Sequence, residues 1–244
     1  MPPPAAVIFD VDGTLAETER DGHRVAFNRS FAEAGLPWRW DEALYGELLA
    51  VSGGRQRISL FAQRYAPLWL ADPRAGERIA ALHQRKNAHY AAIVDAGGVR
   101  LRPGLPRLLD DLRAAGLRLA IATTTSRTNV ETLLRATLGD GAAARFEAIV
   151  CGEDVAHLKP DPEAYGSALR RLGLAAARCI AIEDSANGLR AAVGTSIPTL
   201  IVRSQYARHE DFRGALRVFD GYDVDGDDAD GDRLLSAKFI TALV

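Results

Sequence analysis

Two aspartates one residue apart, Asp10-Val11-Asp12, followed by Gly13-Thr14, close a short apolar run near the start of the chain. Side chains two apart in an extended segment point the same way, so both carboxylates face one pocket. Two close carboxylates repel, and a divalent cation relieves that repulsion. Gly13 allows an abrupt turn out of the strand. An aspartate pair at a strand end is also an ordinary turn, and alone it decides nothing. Three later groups change the balance. The run Leu119-Ala120-Ile121-Ala122 ends in Thr123-Thr124-Thr125-Ser126, four hydroxyls that can bind phosphate oxygens beside the amides of an incoming helix. Lys159, in Lys159-Pro160-Asp161-Pro162, can offset negative charge on a carboxylate and a phosphate. Glu183 and Asp184 end the apolar run Ile180-Ala181-Ile182, and oxygen donors of this kind suit magnesium. Each group also has a plain reading as a capped turn, a surface lysine or a helix cap. Their order, each after a strand-like run, is far more specific than any one of them.

The elements that must position these residues follow from the apolar pattern. Strands are expected at 5–9, 117–122, 147–150, 178–182 and 199–202, short and apolar as parallel strands covered on both faces are. Helices are expected between them at 105–115, 129–138, 162–172 and 186–193. Asp161 and Ser185 stand at N-cap positions, with Pro162 first in its helix. The alternation predicts an α/β fold with a doubly wound, Rossmann-like parallel sheet. Residues 15–95 break the rhythm and read as helices at 24–34, 41–49, 55–65 and 77–94. The expected organisation is therefore a catalytic core of 1–15 and 96–244 with an inserted α-helical cap of 16–95. An insert leaving the carboxyl end of strand one is expected to act as a lid.

The bulk numbers exclude more than they assert. Thirty basic against 32 acidic residues leave a net charge of −2, which gives no reason to expect nucleic acid or an anionic membrane as partner. Cys151 and Cys179 sit in apolar runs and read as buried reduced thiols. The opening Met1-Pro2-Pro3-Pro4-Ala5-Ala6 lacks a signal peptide's basic and apolar regions, and no run approaches a membrane span. A cytoplasmic, monomeric enzyme is expected. In the acidic segment Asp223 to Asp232, Asp223, Asp225 and Asp227 match the first ligands of a calcium loop. Asp228 stands where that loop needs glycine, so a solvated acidic loop is expected.

The ordered set Asp10, Asp12, Thr123, Lys159, Glu183 and Asp184 resembles the haloacid dehalogenase superfamily. The resemblance implies that Asp10 is the nucleophile forming an aspartyl-phosphate and Asp12 the general acid/base. It implies phosphate binding by Thr123 and Lys159. It also implies a magnesium site from Asp10, the carbonyl of Asp12 and Asp184, with Glu183 nearby. The second aspartate separates this reading from the dehalogenases that named the superfamily, which lack an acid/base there.

A helical cap at this place is similar to that of β-phosphoglucomutase and related sugar-phosphate phosphatases. A closer likeness is to the CbbY-type phosphatases that hydrolyse xylulose-1,5-bisphosphate. It rests on the segments beginning at Glu17, Trp38, Ser52 and His83, and with the core motifs spans about residues 5 to 205. A bisphosphate needs cations and donors at its second end. Arg55, Arg85 and Lys86 can supply them, with amides near Ser52, Gly53 and Gly54. Glu17 and His23 are expected at sugar hydroxyls. Arg127 and Asn129 join Thr124, Thr125 and Ser126 as further substrate contacts. Arg57 is a weaker candidate than Arg55, and His83 and His89 read as surface or packing residues. The same two aspartates also serve a phosphosugar mutase, and a non-catalytic phosphosugar-binding regulator is the reading from another class. The family context implies removal of a Rubisco inhibitor in a carbon-fixing organism.

Overall fold

A computed structural model describes residues 2–225 and 233–243. Most of the acidic run, 226–232, lies outside the described residues. Six parallel strands form one sheet: β1 Ala6–Phe9, β2 Arg118–Ala122, β3 Ala148–Val150, β4 Cys179–Glu183, β5 Thr199–Val202 and β6 Arg217–Phe219, in the order β3-β2-β1-β4-β5-β6. A two-stranded pair, β7 Gly221–Tyr222 and β8 Leu234–Leu235, follows. The doubly wound α/β architecture is the one the alternation predicts. β6 was not anticipated, because three residues, Arg217-Val218-Phe219, carry too little periodicity to register.

By contact density the chain forms two compact units, 1–17 with 100–244, and 18–99. The second is helical: α1 Arg24–Glu33, α2 Glu42–Leu48, α3 Gly54–Tyr65, α4 Pro67–Leu70 and α5 Ala75–Asp95, with a π-helical turn at Glu19–His23 leading into α1. Its core is aromatic. Phe27 lies 4.7 Å from Trp40 and Phe31 4.8 Å from Trp40, ring centre to ring centre, and Trp38 packs on Phe61 at 5.2 Å. Edge-on and tilted ring pairs of this kind add about 0.5–1.5 kcal/mol beyond their area burial. Asn28 fixes Trp40 by donating to its carbonyl at 2.8 Å and accepting from its N–H at 2.7 Å. Asp41 then caps α2, accepting from Leu44 N at 2.9 Å.

In the first unit the helices are α6 Leu105–Ala114, α7 Arg127–Leu138, α8 Glu163–Leu172, α9 Ala186–Val193 and α10 Ala237–Thr241. One sheet face is built from small residues, including Ala6, Ala120, Ala122, Ala148 and Ala181. That lets Ala164, Tyr165, Ala168 and Leu172 of α8 pack close against it. Ser185 caps α9 as expected, accepting from Gly188 N at 3.1 Å. At α8 the helix starts one residue later than expected, at Glu163, and Asp161 still accepts from Glu163 N at 2.9 Å.

The register sets the site. Phe9 of β1 pairs with Ile121 of β2 on one side and Ile182 of β4 on the other. Asp10, Thr123 and Asp184 therefore leave neighbouring strands at the same edge, where open α/β sheets bind ligands. No described helix is long and apolar enough to cross a membrane.

This packing yields a stability contrast. Ile121→Ala, at a fully buried β2 position, is expected to cost about 2–5 kcal/mol. Leu68→Ala, at a 90% exposed position, is expected to change stability by less than about 0.5 kcal/mol. Urea midpoints at unchanged m-value check both.

Candidate active site

Asp10 is 7% exposed, and its N–H continues the sheet ladder by donating to Ile182 O at 3.0 Å. Lys159 Nζ donates to Asp10 Oδ1 at 2.6 Å and also to Glu183 Oε1. Tyr165, one turn into α8, donates its hydroxyl to the same Glu183 oxygen at 2.8 Å. Its ring lies beneath the lysine ammonium at 4.9 Å. Glu183 is fully buried and fills the space over Gly188, where a Cβ would stand 1.9 Å from Glu183 Oε2. The lysine is thus fixed from below by a carboxylate and a ring, and from above it meets Asp10.

Asp184 completes the cluster. Donor oxygens of Asp10, Glu183 and Asp184 lie within 4.8 Å of one another, and all three residues are buried. Burial first, then Lys159, Glu183 and Asp12, set the Asp10 carboxyl, and the net effect lifts it to about 8. Burial together with the charges of Asp10 and Glu183 also holds Asp184 well above the usual carboxylate range. Burial alone would lower Lys159, but Asp10 and Glu183 outweigh it and keep the ammonium protonated. Burial and the neighbouring Glu183 raise Tyr165, which stays a donor. Three buried carboxylates against one ammonium form a hard, oxygen-only donor set that could hold a divalent metal ion.

The turn after β1 is shaped for this cluster. Gly13 has φ +88°, and an added Cβ would stand 2.1 Å from Asp184 Oδ2. Glycine is required there twice, for the backbone and for the close approach. Asp12 is half-buried and bridges to Ala16. Thr14 Oγ1 lies 3.5 Å from Asp184 Oδ1.

The hydroxyl cluster follows β2. Thr123 is buried, and its Oγ1 accepts from Thr125 N at 3.2 Å. Thr124 and Thr125 are half-buried, and Gly152 N donates to Thr125 O at 2.9 Å. Ser126 caps α7, accepting from Asn129 N at 3.4 Å. Asn129 is buried, with Nδ2 3.5 Å from Thr125 Oγ1. Arg127 is directed elsewhere, donating to Asp154 Oδ2 at 2.6 Å and to Ile149 O at 3.2 Å. Glu17 accepts from Gln205 N at 3.2 Å.

Within the helical unit the expected residues divide. Lys86 is buried, its ammonium 5.1 Å from the Phe27 ring and 5.3 Å from that of Tyr90. His23 is buried and stacks on Tyr90 at 4.1 Å. Ser52 and Gly53 lead into α3, Gly53 with φ +92°. Gly54 lies against the His83 ring, where a Cβ would come within 2.5 Å. Arg55 is exposed, whereas Arg57 is buried and donates to Tyr45 Oη at 2.7 Å. Tyr45 in turn donates to Glu19, so Arg57 belongs to an internal network. Arg85 is exposed and lies 3.5 Å from Glu33. His83 carries more information than expected. Burial, then Lys86, Arg55, His23 and Arg57, hold its ring at about 3, hence neutral in a cation-rich environment.

Tyr165, Thr14, Arg102 and Tyr222 were not picked out from the sequence. Only Tyr165 left a local signal, an aromatic six residues after Lys159 on the inner face of α8.

With this geometry in hand, comparisons with known proteins are decisive. The model of the haloacid dehalogenase-like hydrolases matches residues 4–194. The chain belongs to that family. With the relatives that follow, this makes it a phosphatase, a phosphoric monoester hydrolase. It is 48% identical over 213 residues to the plasmid protein CbbY of Cupriavidus necator, covering 87% of this chain and 84% of that one. It is 44% identical to CbbY of Cereibacter sphaeroides, covering 89% and 92%. The solved structure of CbbY (mutant D10N) from Rhodobacter sphaeroides in complex with xylulose-1,5-bisphosphate superposes with a TM-score of 0.82 at 44% identity, covering 89% of this chain and 94% of that chain.

The buried carboxylates predict a pH-dependent response to metal. Asp10 is raised from 3.8 to about 8, so the metal-free folded chain binds more protons than the unfolded chain across that window. Its contribution to stability is full below 3.8 and falls as pH rises to about 8. A divalent cation held by the ionised carboxylates of the folded protein would reverse this trend. The rise in Tm on adding magnesium is therefore expected to grow from pH 6 to pH 8 (roughly the upper half of that window). A pH-independent rise would contradict the assignment of metal to this cluster.

Proposed function

We propose that this protein is a magnesium-dependent phosphatase that removes the 1-phosphate of xylulose-1,5-bisphosphate through an aspartyl-phosphate on Asp10. The observation that carries the reading is the buried Asp10–Lys159–Glu183 arrangement at the end of the central strand, in a chain similar over nearly its whole length to a CbbY solved with that sugar.

In the first half-reaction an Asp10 oxygen attacks phosphorus. The bond from phosphorus to the sugar oxygen breaks, and Asp12 gives that oxygen a proton. In the second, a water attacks phosphorus and passes a proton to Asp12. The bond to Asp10 breaks, and inorganic phosphate and the free carboxylate return. Phosphoryl transfer leaves little covalent work for a protein, so positioning and charge neutralisation dominate. Lys159 shields the nucleophile from the phosphate, and Thr123 with the amides entering α7 binds the phosphate oxygens. Asp10, Asp184 and the carbonyl of Asp12 would hold a magnesium ion, which would supply neutralisation of phosphoryl charge. Glu183 acts chiefly by holding Lys159, since its Oε1 is committed to that ammonium and to Tyr165.

The second phosphate falls, in this proposal, to residues of the helical unit. The support is the cation set around His83, in which Lys86 is buried with aromatic faces on two sides. Such a concentration of positive charge costs folding energy that a bound dianion offsets. Arg55, Gly53 and Gly54 share this end, and His23 and Glu17 serve sugar hydroxyls. Arg85 contributes less, given its position beside Glu33. Removal of a Rubisco inhibitor, as the family context implies, is part of the same proposal.

Phosphate release with magnesium from xylulose-1,5-bisphosphate, ribulose-1,5-bisphosphate, β-glucose-1-phosphate and phosphoglycolate tests the substrate. Strong preference for the first is expected. Glucose-6-phosphate appearing from β-glucose-1-phosphate on addition of a bisphosphate primer, with no phosphate release, would establish a mutase instead. Asp10→Asn is expected to abolish turnover and leave the fold intact by circular dichroism. Lys86→Ala and Arg55→Ala are expected to lower kcat/KM for the bisphosphate at least about tenfold more than for a monophosphate, the scale of one charge-assisted contact.

A further inference from the structure

Arg102 is a buried cation with no part in the scheme above. It is 7% exposed and sits where the chain re-enters the first unit, its N–H donating to Leu15 O at 2.9 Å. Its guanidinium spends its donors on main-chain carbonyls. Nη1 reaches Gly13 O at 2.6 Å and Val202 O at 3.0 Å, and Nη2 reaches Arg203 O at 2.7 Å. The nearest carboxylate partner among its ion pairs, Glu17, is 4.0 Å away. Three carbonyls thus satisfy a charge that is costly to bury, and the rigid planar fork suits that task better than an ammonium.

The carbonyls chosen are informative. Gly13 O belongs to the Gly13–Thr14 peptide, one peptide beyond the one that leaves Asp12. The next carbonyl, Thr14 O, accepts from Tyr222 Oη at 2.9 Å, and the Arg102 guanidinium lies 5.5 Å over the Tyr222 ring. The turn after Asp12 is therefore fixed at two successive carbonyls by donors from residues 102 and 222, far along the chain. The bonds of Thr14 N and Leu15 N to Val11 O and of Gly13 N to Ala16 O are internal to the turn, whereas Thr14 Oγ1 reaches Asp184 and Leu15 O accepts from Arg102 N. The internal bonds set its shape, and Arg102, bonded to Gly13 O and Val202 O together, ties it to β5. Close fixation matters, because Gly13 already stands at the limit of approach to Asp184.

We infer that Arg102, assisted by Tyr222, is a positioning residue that holds the Asp12-Gly13 turn where Asp12 can protonate the leaving oxygen. The inference rests on the reading of Asp12 as the general acid. Displacing an acid by about 1 Å costs on the order of 10²-fold in the step that needs it. A step whose leaving group needs no proton is spared.

The test compares single-turnover phosphorylation rates at saturating magnesium for xylulose-1,5-bisphosphate and for p-nitrophenyl phosphate, whose nitrophenolate departs unprotonated. Arg102→Lys and Tyr222→Phe are compared with Asp12→Asn, with thermal melting to confirm folding. Arg102→Lys is expected to slow the sugar reaction at least about tenfold more than the aryl reaction, in the direction of Asp12→Asn, with KM nearly unchanged. Tyr222→Phe is expected to show a smaller loss of the same kind, and it carries the test alone if Arg102→Lys does not fold. Equal losses on both substrates in Arg102→Lys and Tyr222→Phe, with Asp12→Asn selective, would overturn the inference and leave Arg102 a purely structural brace. Equal losses in Asp12→Asn itself would sink the acid assignment first.

Discussion

The charge balance beneath Asp10 is the constraint on which the rest of this structure depends. Asp10, Glu183 and Asp184 are buried within a few ångströms of each other, and Lys159 offsets only one of them. Left alone, such a cluster resists ionisation, which is why the Asp10 carboxyl is lifted so far. A nucleophile must be ionised to attack. Such an excess of negative charge suits a divalent cation, which in the proposed mechanism would let a carboxylate approach a phosphate.

Much of the surrounding architecture can be read as holding that cluster rigid. Small residues on the sheet bring α8 close enough for Tyr165 to reach Glu183. Gly188 leaves room for the Glu183 carboxylate and Gly13 for that of Asp184. Arg102 and Tyr222 tie down the turn that carries Asp12. The helical unit solves a different problem with different material. Its aromatic core buries Lys86 and His23 among rings, so positive charge is displayed from a stiff support.

How far this was legible in the sequence depended on distance along the chain. Asp10, Asp12, Thr123, Lys159 and Asp184 each end or follow a local pattern, a strand or a capped helix, and their order along the chain, with the resemblance it carries, pointed to them. The strands were readable because each is a nearly unbroken apolar run. Arg102 and Tyr222 left no such trace, since their partners Gly13 and Thr14 lie 89 and 208 residues away. Tyr165 reads as one more apolar residue of an amphipathic helix until its hydroxyl is seen on Glu183. The choice between Arg55 and Arg57 hung on where α3 begins. Starting at Gly54, the helix turns Arg57 inward beside Ile58 and Phe61 and leaves Arg55 outside. His83 looked like an ordinary surface or packing residue because its surroundings, Lys86, Arg55 and Arg57, are drawn from different parts of the helical unit.

The central claim is that the phosphoryl group passes through Asp10. Acid quenching during turnover of xylulose-1,5-bisphosphate with magnesium, followed by borohydride reduction and peptide mass spectrometry, tests it directly. An acyl phosphate is reduced to an alcohol, so homoserine at position 10, absent when substrate is omitted, is the predicted result. Homoserine at another carboxylate, or none under conditions where phosphate is being released in a burst, would contradict the account.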